Sequence, residues 1–264
     1  MEYAEYKIMY EAEDTHWWYR GMRGSMFALL RLHADHKREL TILDAGCGTG
    51  GTLNALRKAK YSRLEGFDLN PIALEFCHKR GLDHVRLGSI TDIPYPDDTF
   101  DIVISCDVVT DAGTDNEGAA LRELYRVLRP GGRLFLNLPA FAFLRSEHDR
   151  ATDVARRVTR REITARLEGA GFVVKRASYW NMFLFPVVVA VRLLRREAED
   201  EKEDPARSDI VLPSGPVNTV LSALVRFEAK LMRYVNLPFG SSVVTLAAKP
   251  KDARSKEAGK AVRA

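Results

Sequence analysis

Gly46, Gly48 and Gly51, in the run Leu43-Asp44-Ala45-Gly46-Cys47-Gly48-Thr49-Gly50-Gly51, are the residues whose type and spacing most directly imply chemistry. They follow the apolar, strand-like segment Leu40 to Leu43 and open a helical pattern, so the chain reads strand, glycine turn, helix. Glycine lets the backbone pass close to a ligand, and the start of the following helix offers it unpaired N–H groups and a partial positive charge. Such a unit is a nucleotide site. The spacing satisfies G-x-G-x-x-G, which admits a dinucleotide. After a second strand-like segment, Arg63 to Phe67, Asp68 stands where a carboxylate can accept hydrogen bonds from both ribose hydroxyls of a cofactor.

Four blocks follow the turn in order: Gly66-Phe67-Asp68-Leu69-Asn70-Pro71, then Gly88-Ser89-Ile90-Thr91-Asp92-Ile93-Pro94-Tyr95, then Phe100-Asp101-Ile102-Val103-Ile104-Ser105-Cys106, then Leu128 to Leu136 with Arg129-Pro130-Gly131-Gly132 inside it. Together they resemble the class I S-adenosylmethionine-dependent methyltransferases, most closely the small-molecule branch often called methyltransferase type 11. The resemblance runs from about Leu40 to Pro139. It implies S-adenosylmethionine as cofactor, with Asp44 ordering the loop and the methionine end, Gly46 and Gly48 wrapping that end, Asp68 on the ribose and Leu69 on the adenine. Ser89 stands where related enzymes commonly hold the adenine amino group with an aspartate, and Ile90 where they have a small residue. The N-terminal block Thr15-His16-Trp17-Trp18-Tyr19-Arg20 is similar to one that precedes the core in related sequences and is expected to form a lid that brings Trp18 and Arg20 to the cofactor. Cys47 and Cys106 complete the expected cofactor-binding set.

On the acceptor side, Asp107-Val108-Val109-Thr110-Asp111 replaces an acid followed by Leu-Glu-His, so Asp111 takes the place of the usual histidine. Asp107 and Asp111 are candidates to bind an amine or orient a hydroxyl, although loop acids also serve as helix caps. Ser146-Glu147-His148-Asp149-Arg150 and Arg156-Arg157-Val158-Thr159-Arg160 resemble a His-Asp and Arg-Arg-Tyr-Thr pattern, with Val158 in place of the tyrosine. Histidine is the side chain best matched to take a proton near neutral pH, which makes His148 the candidate base beside Asp107 and Asp111.

These residues need a scaffold. Strand patterns fall near 41–45, 63–68, 84–87, 100–106, 132–138, 172–180 and 242–248, alternating with helical ones, which argues for an α/β, Rossmann-like, doubly wound and mostly parallel sheet. The family resemblance adds seven strands with the last antiparallel. Met22, Met26, Leu29 and Leu30 give one apolar face to an N-terminal helix, and Arg129 to Gly132 read as the turn before the fifth strand. Between the sixth and seventh strands lies a long helical insertion: an apolar stretch from Met182 to Leu194, an acidic run from Glu197 to Asp204, and a helix opened by Gly215-Pro216 with Val217, Val220, Leu221, Leu224, Phe227 and Leu231 on one face. The expected divisions are a lid over 1–39, the cofactor core over 40–180, a helical cap over 181–240, the last strand over 241–249 and a disordered basic tail over 250–264.

The formal net charge of +4 resides in the stretch from Lys249 onward, where six basic residues stand against two acids, so the rest of the chain is balanced and no nucleic-acid surface is expected. Cys47, Cys77 and Cys106 lack metal-ligand spacing, so neither a disulfide framework nor a metal site is expected. With no signal-peptide pattern at Met1 to Glu5, a cytoplasmic setting is expected. The stretch 182–196 is too short to span a bilayer, yet its apolar residues followed by Arg192, Arg195 and Arg196 suit peripheral membrane contact as well as a buried helix. The expected reaction is methyl transfer to the oxygen, nitrogen or carbon of a small-molecule or lipid-like acceptor. An NAD-dependent oxidoreductase and a non-catalytic cofactor-binding partner are the alternatives.

Overall fold

A computed structural model describes residues 2–33, 39–110, 116–145, 149, 155–199 and 213–251. Two helices, α1 (Tyr3–Ala12) and α2 (Trp17–His33), precede the alternating core β1 (Thr41–Ala45), α3 (Gly51–Lys58), β2 (Arg63–Asp68), α4 (Pro71–Lys79), β3 (Val85–Leu87), β4 (Phe100–Cys106), α5 (Glu117–Val127) and β5 (Leu128–Pro139). A short 3-10 turn (Ala142–Leu144), α6 (Arg160–Gly169), β6 (Val173–Trp180), α7 (Phe185–Glu199), α8 (Gly215–Leu231) and β7 (Ser242–Ala248) follow. The seven strands form one sheet in the order β3-β2-β1-β4-β5-β7-β6. β7 runs antiparallel to both β5 and β6, and the other pairings are parallel. The expected doubly wound sheet is therefore present, with its helical insertion before the last strand.

Alternation along the strands explains why both faces are covered. Leu43, Val103, Leu134, Leu136, Val243 and Ala247 point to the face where α5 and α6 add Leu121, Leu124, Ile163 and Leu167. Ile42, Ile104, Phe135, Val244 and Leu246 point to the opposite face, which Met22, Met26 and Leu29 of α2 cover. Strands buried on both sides lose any polar alternation, as their sequences show.

The structure departs from expectation in three places. Arg129 to Gly132 do not turn before β5 but lie within it: Gly131 N–H donates to the Lys249 carbonyl (2.8 Å) and Lys249 N–H to Gly132 (2.9 Å), so the irregularity is a bulge held from the β7 side. Lys249, counted above with the basic tail, is buried, its ammonium 2.9 Å from Asp98 and 2.9 Å from the Tyr125 carbonyl. The remaining tail from Asp252 lies outside the described residues. Finally, α8 packs on α2, where a Cβ on Gly21 would meet Val225 at 2.9 Å and one on Gly24 would meet Ala229 at 3.4 Å. The second helix of the insertion thus packs on α2, while α7 brings Val188 and Arg192 to the cavity.

Candidate active site

Strand ends and helices from across the sheet bring residues to one cavity of about 930 Å³. At its cofactor end, β1 ends at Asp44 and the glycine turn bends with positive φ at Gly46 (+80°) and Gly48 (+52°). A Cβ on Gly46 would collide with Val108, so both the backbone conformation and the space demand glycine there. Asp68, at the end of β2, accepts from the Gly48 N–H (2.8 Å) and the Asn70 N–H (3.0 Å), which fixes its carboxylate at the cavity wall. Asn70 in turn caps α4 by accepting from the Ile72 N–H (3.0 Å).

The charge balance around the turn is acidic. Burial pushes the Asp44 carboxyl well above its ordinary range, and Glu13 and Asp68 raise it further. Burial also raises Asp68, opposed by its backbone hydrogen bonds, and raises Glu13, opposed by Thr49, Arg80 and Arg23. Three carboxyls held up by desolvation around one loop gain most from a cationic ligand, which restores their charged forms. A sulfonium and an ammonium, the cations of S-adenosylmethionine, suit that set.

Of the expected cofactor-binding residues, Trp18, Asp44, Gly46, Cys47, Gly48, Asp68, Leu69, Ser89, Ile90 and Cys106 all line the cavity. Arg20 does not: it is exposed and its Nε donates to the Asp14 carbonyl at 3.3 Å, because its place on α2 faces away from the sheet. Ser89 lines the wall, but its hydroxyl accepts from the Thr91 N–H (3.2 Å) and pairs with the Thr91 hydroxyl (2.8 Å), so it also builds the strand-end turn. Leu69 lines the cavity and is 72% exposed.

At the acceptor end, Asp107 sits at positive φ (60°) just after β4, and the Asn137 Nδ2 donates to its carboxylate, 3.0 and 2.9 Å from the two oxygens. Asn137 is oriented by the Trp180 indole, which donates to its Oδ1 at 2.6 Å. Trp18 packs against Trp180 with ring centroids 5.5 Å apart. Burial pushes the Asp107 carboxyl up to about 7, with Asp149 adding to the rise while Asn137 and Arg157 oppose it. Arg157 forms a two-point pair with Asp149 at 2.9 and 2.8 Å, both side chains buried. Leu144, Val108 and Val188 supply apolar wall between these polar groups, and Arg192 of α7 reaches the same cavity.

Asp111 and His148 lie outside the described residues. The Asn137–Trp180 support, the Asp149–Arg157 pair and Glu13 were not singled out in the sequence. Only Asp149 and Arg157 carried a local signal, as members of the His-Asp and Arg-Arg pattern. Among the described residues no cluster of His, Cys, Asp or Glu suits a metal ion, and no helix is long and apolar enough to cross a membrane.

Residues 43–136 match a family model described as a methyltransferase domain. The malonyl-[acyl-carrier protein] O-methyltransferase of Serratia marcescens is 37% identical over 122 residues, 46% of this chain and 46% of its own. The phthiotriol/phenolphthiotriol dimycocerosates methyltransferase of Mycobacterium leprae (strain TN) is 35% identical over 136 residues, 47% of each chain. The chain thus spans about half the length of the curated relatives it matches. Among solved structures, geranyl diphosphate C-methyltransferase from Streptomyces coelicolor A3(2) shares the fold with a TM-score of 0.55 at 18% identity, covering 85% of this chain and 79% of that one. None of these supports the nicotinamide alternative.

Proposed function

Because residues 43–136 match a methyltransferase-domain model and their strand ends meet at one cavity, we propose that the chain is a class I enzyme that transfers a methyl group from S-adenosylmethionine to the oxygen, nitrogen or carbon of a small-molecule or lipid-like acceptor. The observation that carries this reading is the single cavity with an acidic glycine-turn end and an apolar end lined by Leu144 and Val188. When bound, S-adenosylmethionine supplies a methyl group already activated by its sulfonium, so the protein's task is alignment, which can contribute roughly 7–11 kcal/mol of the barrier. Asp68 holds the ribose hydroxyls, and Asp44 faces the cationic methionine end. Asp107, kept in place by Asn137, orients the acceptor or takes its proton, with His148 as the second candidate base.

The cap gives the acceptor its route. Phe183 (41% exposed), Val187 (59%), Val191 (40%) and Phe227 (56%) leave an apolar surface on α7, its N-terminal approach and α8, beside Arg192. That surface suits contact with an anionic lipid layer on the cytoplasmic side, from which an acceptor enters beneath α7.

The test is a lipid and small-molecule extract incubated with the full chain and isotope-labelled S-adenosylmethionine. A new product heavier by one labelled methyl, formed only with active protein, is the expected result. Tight NAD binding without S-adenosylhomocysteine binding would support the oxidoreductase instead, and cofactor binding with no labelled product would leave a non-catalytic partner.

A further inference from the structure

The G-x-G-x-x-G spacing admits a dinucleotide as readily as an adenosyl cofactor, and α1 contains the group that separates them. Glu13, at the end of α1, lines the cofactor end of the cavity while only 6% exposed. Its carboxylate lies directly on the first residue of α3: a Cβ on Gly51 would be 2.5 Å from its Cδ and 2.6 Å from each oxygen. The Thr49 hydroxyl donates to its Oε2, and Nη2 of Arg80 stands 3.1 Å from the same oxygen.

Arg80 is itself fixed. Its Nε donates to the Thr49 carbonyl (2.8 Å), Nη2 to the Tyr10 carbonyl (2.8 Å) and Nη1 to Asp14 (3.0 Å). The carboxylate is therefore held by donors from the glycine turn and the end of α4, and it cannot swing aside without breaking them. The first turn of a helix is where an anion gains most from unpaired N–H groups and the helix dipole. Here the Glu13 carboxyl packs on that turn, against Gly51.

We propose that Glu13 is a specificity-determining residue, filling the anion position on α3 that a cofactor's diphosphate would need and so restricting the site to phosphate-free adenosyl cofactors. This rests on the cofactor reading given above. A diphosphate entering the cavity would meet the Glu13 charge at contact distance, with Asp44 and Asp68 on the same wall, and would have to displace Glu13 from Thr49 and Arg80. A sulfonium or thioether in that place is not anionic, and the α-carboxylate farther along the methionine end is balanced by the α-ammonium beside it. Like charges brought together across a contact suppress the wrong ligand.

Calorimetric titration of the full chain with S-adenosylhomocysteine, adenosine and ADP tests this, in the native protein and in Glu13→Gln and Glu13→Ala. The native protein should bind the first two and bind ADP at least about tenfold more weakly than adenosine. In both variants the ADP-to-adenosine gap should close by about tenfold, more fully in Glu13→Ala, which removes bulk as well as charge. Native protein that binds ADP as well as adenosine overturns the proposal, and so does an unchanged gap in variants with native near-ultraviolet circular dichroism. Should both variants unfold, the native ADP-to-adenosine ratio decides alone. Loss of S-adenosylhomocysteine and adenosine binding in the native chain would remove the cofactor reading and this proposal with it. Intact S-adenosylhomocysteine binding without discrimination against ADP removes Glu13 alone.

Discussion

The two ends of the cavity are built on different plans. Apart from Glu13, which reaches it from α1, the cofactor end is assembled from strand ends that follow closely in sequence: Asp44 and the glycine turn, then Asp68, then Ser89 and Ile90, with the Gly48 N–H donating to the Asp68 carboxylate. The acceptor end is assembled across the whole chain. Trp18 meets Trp180, Trp180 orients Asn137, Asn218 accepts from the Trp17 N–H at 2.9 Å, and Glu228 accepts from the Met182 N–H at 2.9 Å. A locally coded site tolerates little change in its own backbone, whereas a site gathered from distant elements can change specificity by altering any one of them.

The sharpest break in that comparison is Gly46→Ala. Both the positive φ and the collision with Val108 oppose a side chain, for a stability loss of about 2–5 kcal/mol and no measurable S-adenosylhomocysteine binding by calorimetry. Next in size, His148→Ala should lower turnover by about 10²–10⁴-fold with cofactor affinity intact; a change within about twofold would remove its role as base. Asp68→Ala should weaken S-adenosylhomocysteine by roughly 1.5–3 kcal/mol through lost charge-assisted ribose bonds, and unchanged affinity would contradict the assignment.

Asp107 sharpens the contrast through pH. Its carboxyl is raised to about 7 in the fold, above its unfolded value, so the native state holds the proton more tightly. Stability from this group is therefore complete at low pH, below the unfolded value, and declines as pH rises through about 7, while turnover that needs the carboxylate rises over the same range. Asp107→Asn should flatten both profiles, read by thermal melts and initial rates between about pH 5 and 8.5, a window that brackets the raised value near 7 by about 1.5 units or more. The smallest effect is expected at the cap. Phe183→Ser with Phe227→Ser should release the protein from anionic liposomes in co-sedimentation, and an intact chain that never sediments with them would make this surface ordinary exposed apolar area.

The same contrast explains what could be read from the amino acids. The seven strands lie close to where alternation put them, because two-sided burial leaves continuous apolar runs between turn residues. Asp44, the glycines and Asp68 were legible because their spacing is the chemistry. Arg20 was misplaced because a resemblance in a block of residues does not show which side of a helix faces the sheet; Arg23, three positions on, is the buried arginine, donating to the Glu13 carbonyl. Glu13 carried no signal, since its partners Thr49, Gly51 and Arg80 are remote and only the fold brings them together. Packing of α8 on α2 depends on Gly21 and Gly24, whose role appears only when the partner helix is in place.

The position of β7 also bears on how the molecule is made. It is the last strand among the described residues, yet it lies between β5 and β6 and pairs with both. During synthesis those two strands leave the ribosome before the segment that joins them, so each presents an open row of N–H and C=O groups until Ser242–Ala248 emerges. Both edges then close in one step. A chain interrupted before Ser242 would keep two templates for association with other chains, and aggregation is its expected fate.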